Sequence, residues 1–229
     1  VLSDDWTDWT KIMWNAFPSE PSPFTGEGGW TSLSDWDDVL DAMAKGADVN
    51  ARDAVYQSSG LHEAIHCCAP LSVVKAMVEA GADVHAVTET GWTALHPASN
   101  YRRPHCAEGL AVVKYLMSKG VDHTKVTRSG SLPIHWAAMA NNVPVLRYWV
   151  EEQHESVEVK CMLKRTPLLW AKDDTAGYLV VCANANPLAK DKVRRVERDG
   201  RCACLLTVVW CCCRTGQPPW SVALKYEAV

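Results

Sequence analysis

A pair made of an aliphatic residue and a histidine recurs along this chain at intervals too regular for a single folded core. Gly60-Leu61-His62 is followed by Thr93-Ala94-Leu95-His96 and then by Leu132-Pro133-Ile134-His135, and Thr166-Pro167-Leu168-Leu169 takes the place a fourth time. The steps from His62 to His96, His96 to His135 and His135 to Leu169 are 34, 39 and 34 residues. Self-similarity at a period of about 33 residues means stacked units. Each unit is too small to bury its apolar face alone and is completed by its neighbours.

Between these landmarks lie paired aliphatic residues spaced for one helix face: Val73-Val74 with Met77, Val112-Val113 with Leu116, Val145-Leu146 with Trp149, and Leu179-Val180. Gly81-Ala82-Asp83 and Gly120-Val121-Asp122 then stop the helix, as Gly46-Ala47-Asp48 does further upstream. Pro133 and Pro167 fall in the first turn of a helix, where the missing amide has no intrahelical acceptor to lose. Ala64, Ala98, Ala137, Ala138 and Ala171 are small enough to let helices approach closely. The spacing predicts four two-helix units whose first helices start near 61, 95, 134 and 168. One N-terminal half-unit precedes them, a helix opened by Ser34 with Asp37 and closed at Lys45-Gly46.

At this point the chain resembles the ankyrin repeat family. That family's unit runs Gly-x-Thr-Pro-Leu-His-x-Ala-Ala, then a second helix with paired aliphatics, then Gly-Ala-Asp. Gly91-Trp92-Thr93-Ala94-Leu95-His96-Pro97-Ala98 with Val112 through Gly120 matches one unit. Leu61-His62-Glu63-Ala64 with Val73 through Asp83 matches another. The resemblance covers about residues 34–187. It implies an all-α ankyrin-repeat solenoid, helix-turn-helix units joined by hairpin-like turns. It also implies a protein–protein interaction module whose first helices and turn tips line a concave face.

Several stretches depart from the pattern. Tyr101-Arg102-Arg103-Pro104-His105-Cys106-Ala107-Glu108-Gly109 delays one second helix and reads as a loop between helices, a place where insertions serve binding. Glu152-Gln153-His154-Glu155 stands where Gly-Ala-Asp is expected, and Leu169 replaces a histidine. Residues 1–33 read as a separate N-terminal segment. Trp6, Trp9, Met13 and Phe17 share one face of a helix that ends at Pro18, suited to capping the stack, and a Pro/Gly-rich loop follows. Residues 188–229 read as an atypical tail. It begins with the basic run Lys190, Lys192, Arg194, Arg195, Arg198 and Arg201 and turns rich in cysteine over Cys202–Cys213.

Composition narrows the function. A formal net charge of -4 gives no basic footprint for nucleic acid or an anionic membrane. No apolar run approaches the roughly 20 residues needed to span a bilayer. The acidic Val1-Leu2-Ser3-Asp4-Asp5 start does not read as a signal peptide, and the missing Met suggests a fragment or a processed form. Ten irregularly placed Cys fit a reducing compartment better than a disulfide framework, so the expected location is the cytoplasm or the nucleus. Cys202-Ala203-Cys204 and Cys211-Cys212-Cys213 have the wrong spacing for zinc. No phosphate-binding glycine loop and no nucleophile elbow occurs. Asp37-Asp38 at a helix start and Asp173-Asp174 at a helix-to-helix turn are explained by solvation and the helix dipole. His62, His96 and His135 lie in successive layers and are expected to face inward, satisfying groups of their own turn and the next. No catalytic residue, cofactor site or metal site is expected.

The remaining signal is aromatic. Trp136 and Trp170 take the same place in successive units, 34 residues apart, and Trp92 lies in a turn just before its own unit. Tryptophan and arginine dominate binding hot spots. Trp92, Trp136 and Trp170, the loop residues Arg102 and Arg103, and the turn-tip residues Tyr56 and Arg128 are therefore the expected partner-binding set. Packing between units is the competing role for the tryptophans. Asn50, at the end of Gly46-Ala47-Asp48-Val49-Asn50, is placed by the resemblance where asparaginyl hydroxylation sometimes occurs. The expected function is a monomeric scaffold or adaptor binding another protein. A second reading is a regulatory or substrate-recruiting ankyrin segment of a larger enzyme or channel, and a third, for which no site is found, is an enzyme in its own right.

Overall fold

A computed structural model describes residues 33–53, 56–102, 105–187 and 189. The N-terminal tryptophan helix, Arg103 and the Cys-rich tail lie outside the described residues. Within them the chain forms α1 (Leu33–Ala44), α2 (Gly60–His66), α3 (Leu71–Glu79), α4 (Leu95–Ser99) and α5 (Cys106–Ser118). It continues with α6 (Pro133–Met139), α7 (Val143–Arg147), α8 (Pro167–Trp170) and α9 (Asp173–Val181). Among the described residues there is no sheet, only an isolated bridge between Arg52 and Ser59. The all-α solenoid expected from the sequence is what forms, with first helices starting within one residue of the expected positions.

The helices stack in two layers. The first helices α2, α4, α6 and α8 pack on one another in order, and the second helices α1, α3, α5, α7 and α9 do the same behind them. Sequence spacing explains the pairing. Second helices bury Val73, Val74 and Met77, then Val112, Val113 and Leu116, then Val145, Leu146 and Trp149. First helices bury Leu61, Ala64 and Ile65, then Leu95 and Ala98, then Ile134, Ala137 and Ala138. Each set occupies one helical face, so each helix has one apolar side for its own partner and for the next unit. In α1, Trp36, Val39 and Ala42 supply the same face.

The turns between units are hairpins, each with a backbone bond across its base. Asp53 N donates to Ser58 O (2.9 Å), Thr88 N to Trp92 O (2.9 Å), Thr127 N to Ser131 O (3.0 Å) and Cys161 N to Arg165 O (3.1 Å). The tips also bond to each other. Glu89 N donates to Tyr56 O, Arg128 N to Thr90 O and Met162 N to Ser129 O, at 2.8, 2.8 and 2.9 Å. This contact needs close backbone approach. A Cβ on Gly130 would stand 3.0 Å from Met162 N, and the residue also has φ +72°.

Two sequence readings change. The residues expected to form a loop from Tyr101 to Gly109 are loop only in their first part, because α5 already begins at Cys106. The extra residues lengthen that helix to 13. The reason is packing. Tyr101 is fully buried, its hydroxyl donates to Ala69 O (2.9 Å), and Gly109 lies against its ring so closely that a Cβ would come within 2.7 Å of Tyr101 Cβ. Glu108 then reaches back to accept from Leu71 N (2.6 Å) at the start of α3. Asp174 likewise sits in the first turn of α9 rather than in a turn between helices, and its carboxylate accepts from Asn141 Nδ2 (3.2 Å).

The missing Gly-Ala-Asp of the fourth expected stop has a local cause. Leu146 to His154 is one residue longer than Val74 to Gly81 or Val113 to Gly120. The extra residue is absorbed as a π-helical turn over Tyr148–Glu152, where Gln153 N donates to Tyr148 O (3.1 Å). His154 then takes the left-handed stop conformation (φ 55°) that Gly81 and Gly120 take elsewhere.

Candidate protein-interaction face

The inner helices are held by a repeated imidazole device. His96 Nδ1 lies 3.1 Å from both the backbone N and Oγ1 of Thr93, and its Nε2 lies 3.3 Å from Ser131 O in the next hairpin. His135 accepts from Leu132 N (3.2 Å) and faces Arg165 O at 3.2 Å. His62 bonds Ser59 Oγ (2.9 Å), and the equivalent carbonyl, that of Trp92, faces its Nε2 without closing a hydrogen bond. An Nδ1 that accepts from a backbone N–H requires the proton on Nε2, which then faces the next unit's carbonyl. Burial holds His62 and His96 down at about 4 and lowers His135 too. The neutral ring is therefore the working form, and through His96 and His135 it ties a hairpin to the following one. Among the described residues no three His, Cys, Asp or Glu side chains are grouped to hold a metal.

This scaffold brings the three expected tryptophans together. Trp92 meets Trp136 edge-on with ring centroids 4.6 Å apart, and Trp136 meets Trp170 edge-on at 5.6 Å. His66 (6.2 Å from Trp92) extends the row at one end, and His135 packs against Trp170 at 5.6 Å. Trp136 and Trp170 arise from one sequence position in successive first helices. Trp92 instead comes from the base of a hairpin, where its N donates to Thr88 Oγ1 (3.0 Å) and its carbonyl closes the turn. Its ring also stacks on His96 at 6.4 Å, and buried Pro97 stands at the tryptophan position in its own unit. All three rings are half-buried. The Nε1 atoms of Trp136 and Trp170 are enclosed with no hydrogen-bond acceptor.

The other expected residues divide by place. Arg102 is exposed beside the aromatic row, close enough for its charge to help hold the His66 imidazole below its usual range, after burial. Tyr56 (52% exposed) and Arg128 stand at hairpin tips, and Arg128 Nη2 reaches Glu89 Oε1 at 3.1 Å. Both partners of that pair are solvated, so it adds little stability. Asn50 is exposed, but its side chain is engaged. Nδ2 donates to Gly81 O (2.9 Å) and Oδ1 accepts from Asp83 N (2.8 Å), linking two successive helix stops. The set thus forms two groups: an aromatic row with Arg102, and a row of tips holding Tyr56 and Arg128.

Residues that the sequence reading passed over also surface here. Val126 (52% exposed), Met162 (62%) and Leu163 (45%) are bare at the third and fourth hairpins. Aligning the tips on their left-handed residues, Gly91, Gly130 and Lys164, is the signal that exposes Met162 and Leu163.

No helix among the described residues is long and apolar enough to cross a membrane. No curated protein matches the chain. Residues 105–191 match the model of ankyrin repeats, in three copies. Ankyrin repeats are generally protein–protein interaction modules on a non-catalytic fold. The two helix layers, the hairpins bonded tip to tip and this match agree: residues 105–191 are ankyrin repeats, and the helix pairs upstream of them stack in the same way.

Proposed function

We propose that this protein is an adaptor that captures another protein along its inner face, with the joined rings of Trp92, Trp136 and Trp170 as the anchor. The observation that carries this reading is the aromatic row itself. Three half-buried indoles in edge-to-face contact present a continuous apolar strip, pre-organised so that little side-chain entropy is lost on binding. Arg102 supplies a charge at one end of the strip, and Tyr56 and Arg128 extend the contact over the tips. Buried Cys161 and half-buried Cys67, both thiols, support work in a reducing compartment, the cytoplasm or the nucleus. The proposed working form is a monomer, with the tryptophan row and the tips carried on one chain.

Comparative affinity capture with quantitative mass spectrometry tests the reading, using the full chain and the variants Trp136→Leu and Arg102→Glu. One partner set should fall roughly tenfold or more with each variant, the scale of a lost hot spot. Thermal unfolding of Arg102→Glu should match the parent. An unchanged partner set across both variants, with the fold intact, defeats the proposal.

A further inference from the structure

The second and third hairpin tips share a residue pattern that the first and fourth do not; the first places exposed Tyr56 and left-handed Gln57 (φ 54°) at the matching positions. At three successive tip positions the second hairpin has Glu89-Thr90-Gly91 and the third has Arg128-Ser129-Gly130, polar residues followed by glycine in the left-handed region. The fourth has Met162-Leu163-Lys164. Met162 and Leu163 are exposed where the fold accepts charge or hydroxyl equally well. Lys164 holds φ +57°, a conformation that costs a side chain energy and that glycine adopts freely. Three consecutive choices therefore go against what folding alone rewards.

Charge makes the same region distinctive. Lys125, Arg128, Lys160 and Lys164 stand on the third and fourth hairpins, on a chain whose overall charge is -4. Of the nearby carboxylates, Glu89 pairs with Arg128 (3.1 Å), Asp122 lies within reach of the Lys125 charge, and Glu158 accepts from Asn186 N (2.7 Å). Among the described residues Lys160 and Lys164 have no carboxylate partner. The two tips are tied by Met162 N to Ser129 O (2.9 Å), which sets exposed Met162 and Leu163, with Lys160 and Lys164 flanking them in sequence, beside the tip of the third hairpin.

We propose that the third and fourth hairpin tips form a docking strip for an acidic protein segment bearing large aliphatic or aromatic side chains. Val126, Met162 and Leu163 cover the segment's apolar side chains, and Lys160 and Lys164 meet its carboxylates. The strip deepens the interaction reading and rests on it, but it uses residues separate from the tryptophan row. Isolated cations and bare hydrophobics are each ordinary on a surface; their joint placement on adjacent tips gives a partner both apolar contact and a sign. A polyanion is the less suited occupant, because exposed Met162 and Leu163 offer it nothing and the whole chain repels it.

Fluorescence anisotropy with three labelled synthetic peptides tests this, each of about twelve residues, long enough when extended at roughly 3.3 Å per residue to cross both tips. One alternates Glu with Leu and Phe, the second replaces Leu and Phe by Ser, and the third replaces Glu by Lys. The first should bind at least roughly tenfold more tightly than the other two and weaken as salt rises. Lys164→Gly, which restores the residue type of Gly91 and Gly130 and so keeps the fold, should weaken it severalfold, and Met162→Glu should do so as well. Equal binding of all three peptides, or indifference to both tip variants, overturns the proposal. Loss through Trp136→Leu with the tip variants silent also overturns it, while leaving the interaction reading standing. Binding to phosphatidylserine vesicles through Lys160 and Lys164, with no peptide binding, overturns it in favour of a membrane surface.

Discussion

A buried neutral imidazole is a liability in acid, and this protein carries three. His62 and His96 titrate near 4 in the folded chain because burial disfavours the cation, whereas the unfolded chain titrates near 6.5. Between those values the unfolded state binds more protons. Stability is therefore full above about pH 6.5 and falls as pH drops toward 4. A tenfold change in proton affinity corresponds to about 1.4 kcal/mol, so each of the two imidazoles removes on the order of 3 kcal/mol across that window. Urea midpoints should decline steadily from about pH 6.5 to 4.5. A midpoint that stays level there would mean that the imidazoles are not buried as described. The inward role of these histidines was legible in their layer spacing. What spacing could not supply is the acceptor on the far side, Ser131 O or Arg165 O, because those atoms arrive from the next unit. Tyr101 was the least legible residue. It lies in an insertion, yet its ring is core and Gly109 is its lid. Gly109→Ala should therefore cost about 1–3 kcal/mol by overpacking, measured as a lower denaturation midpoint, where an exposed helical Gly→Ala would gain stability.

At the level of elements, helix stops and hairpins were read from glycine, and the exceptions show why that worked. Gly81 and Gly120 end their helices in the left-handed region, and His154 does the same after the π-helical turn. His154→Gly should raise stability by about 1 kcal/mol, the usual cost of a side chain in that region, read as a higher thermal midpoint. A loss of stability would mean that the His154 side chain has a role in holding the turn. The one-residue surplus was visible in the count from Leu146 to His154, but its resolution was not. A π-helical turn and a longer loop fit the same count, and only the bond from Gln153 N to Tyr148 O selects between them. The tryptophan row is a similar case. The 34-residue interval aligned Trp136 with Trp170, while the contact of Trp92 with Trp136 joins a hairpin base to a helix and has no period. A double-mutant cycle on Trp92 and Trp136, each replaced by Leu, should show coupling of about 0.5–1.5 kcal/mol in unfolding free energy. Additive effects would show that the rings do not support each other.

The described residues form a one-dimensional stack whose cohesion lies in bonds between neighbours. Asn50 bridges to Gly81 and Asp83, Tyr101 to Ala69, Asn142 Nδ2 to Tyr101 O (2.9 Å) and Thr175 Oγ1 to Ala138 O (2.9 Å).

The fold class, the helix starts and the inward histidines were legible in the sequence alone. All of these follow from local periodicity, and periodicity is a one-dimensional property. The tertiary structure alone decided which side chains meet across units: that Tyr101 turns inward, that Trp92 completes the aromatic row, and that Met162 and Leu163 are left bare beside unpaired lysines. Those outcomes depend on the angle and offset with which one unit lands on the next, set by close packing among many residues at once.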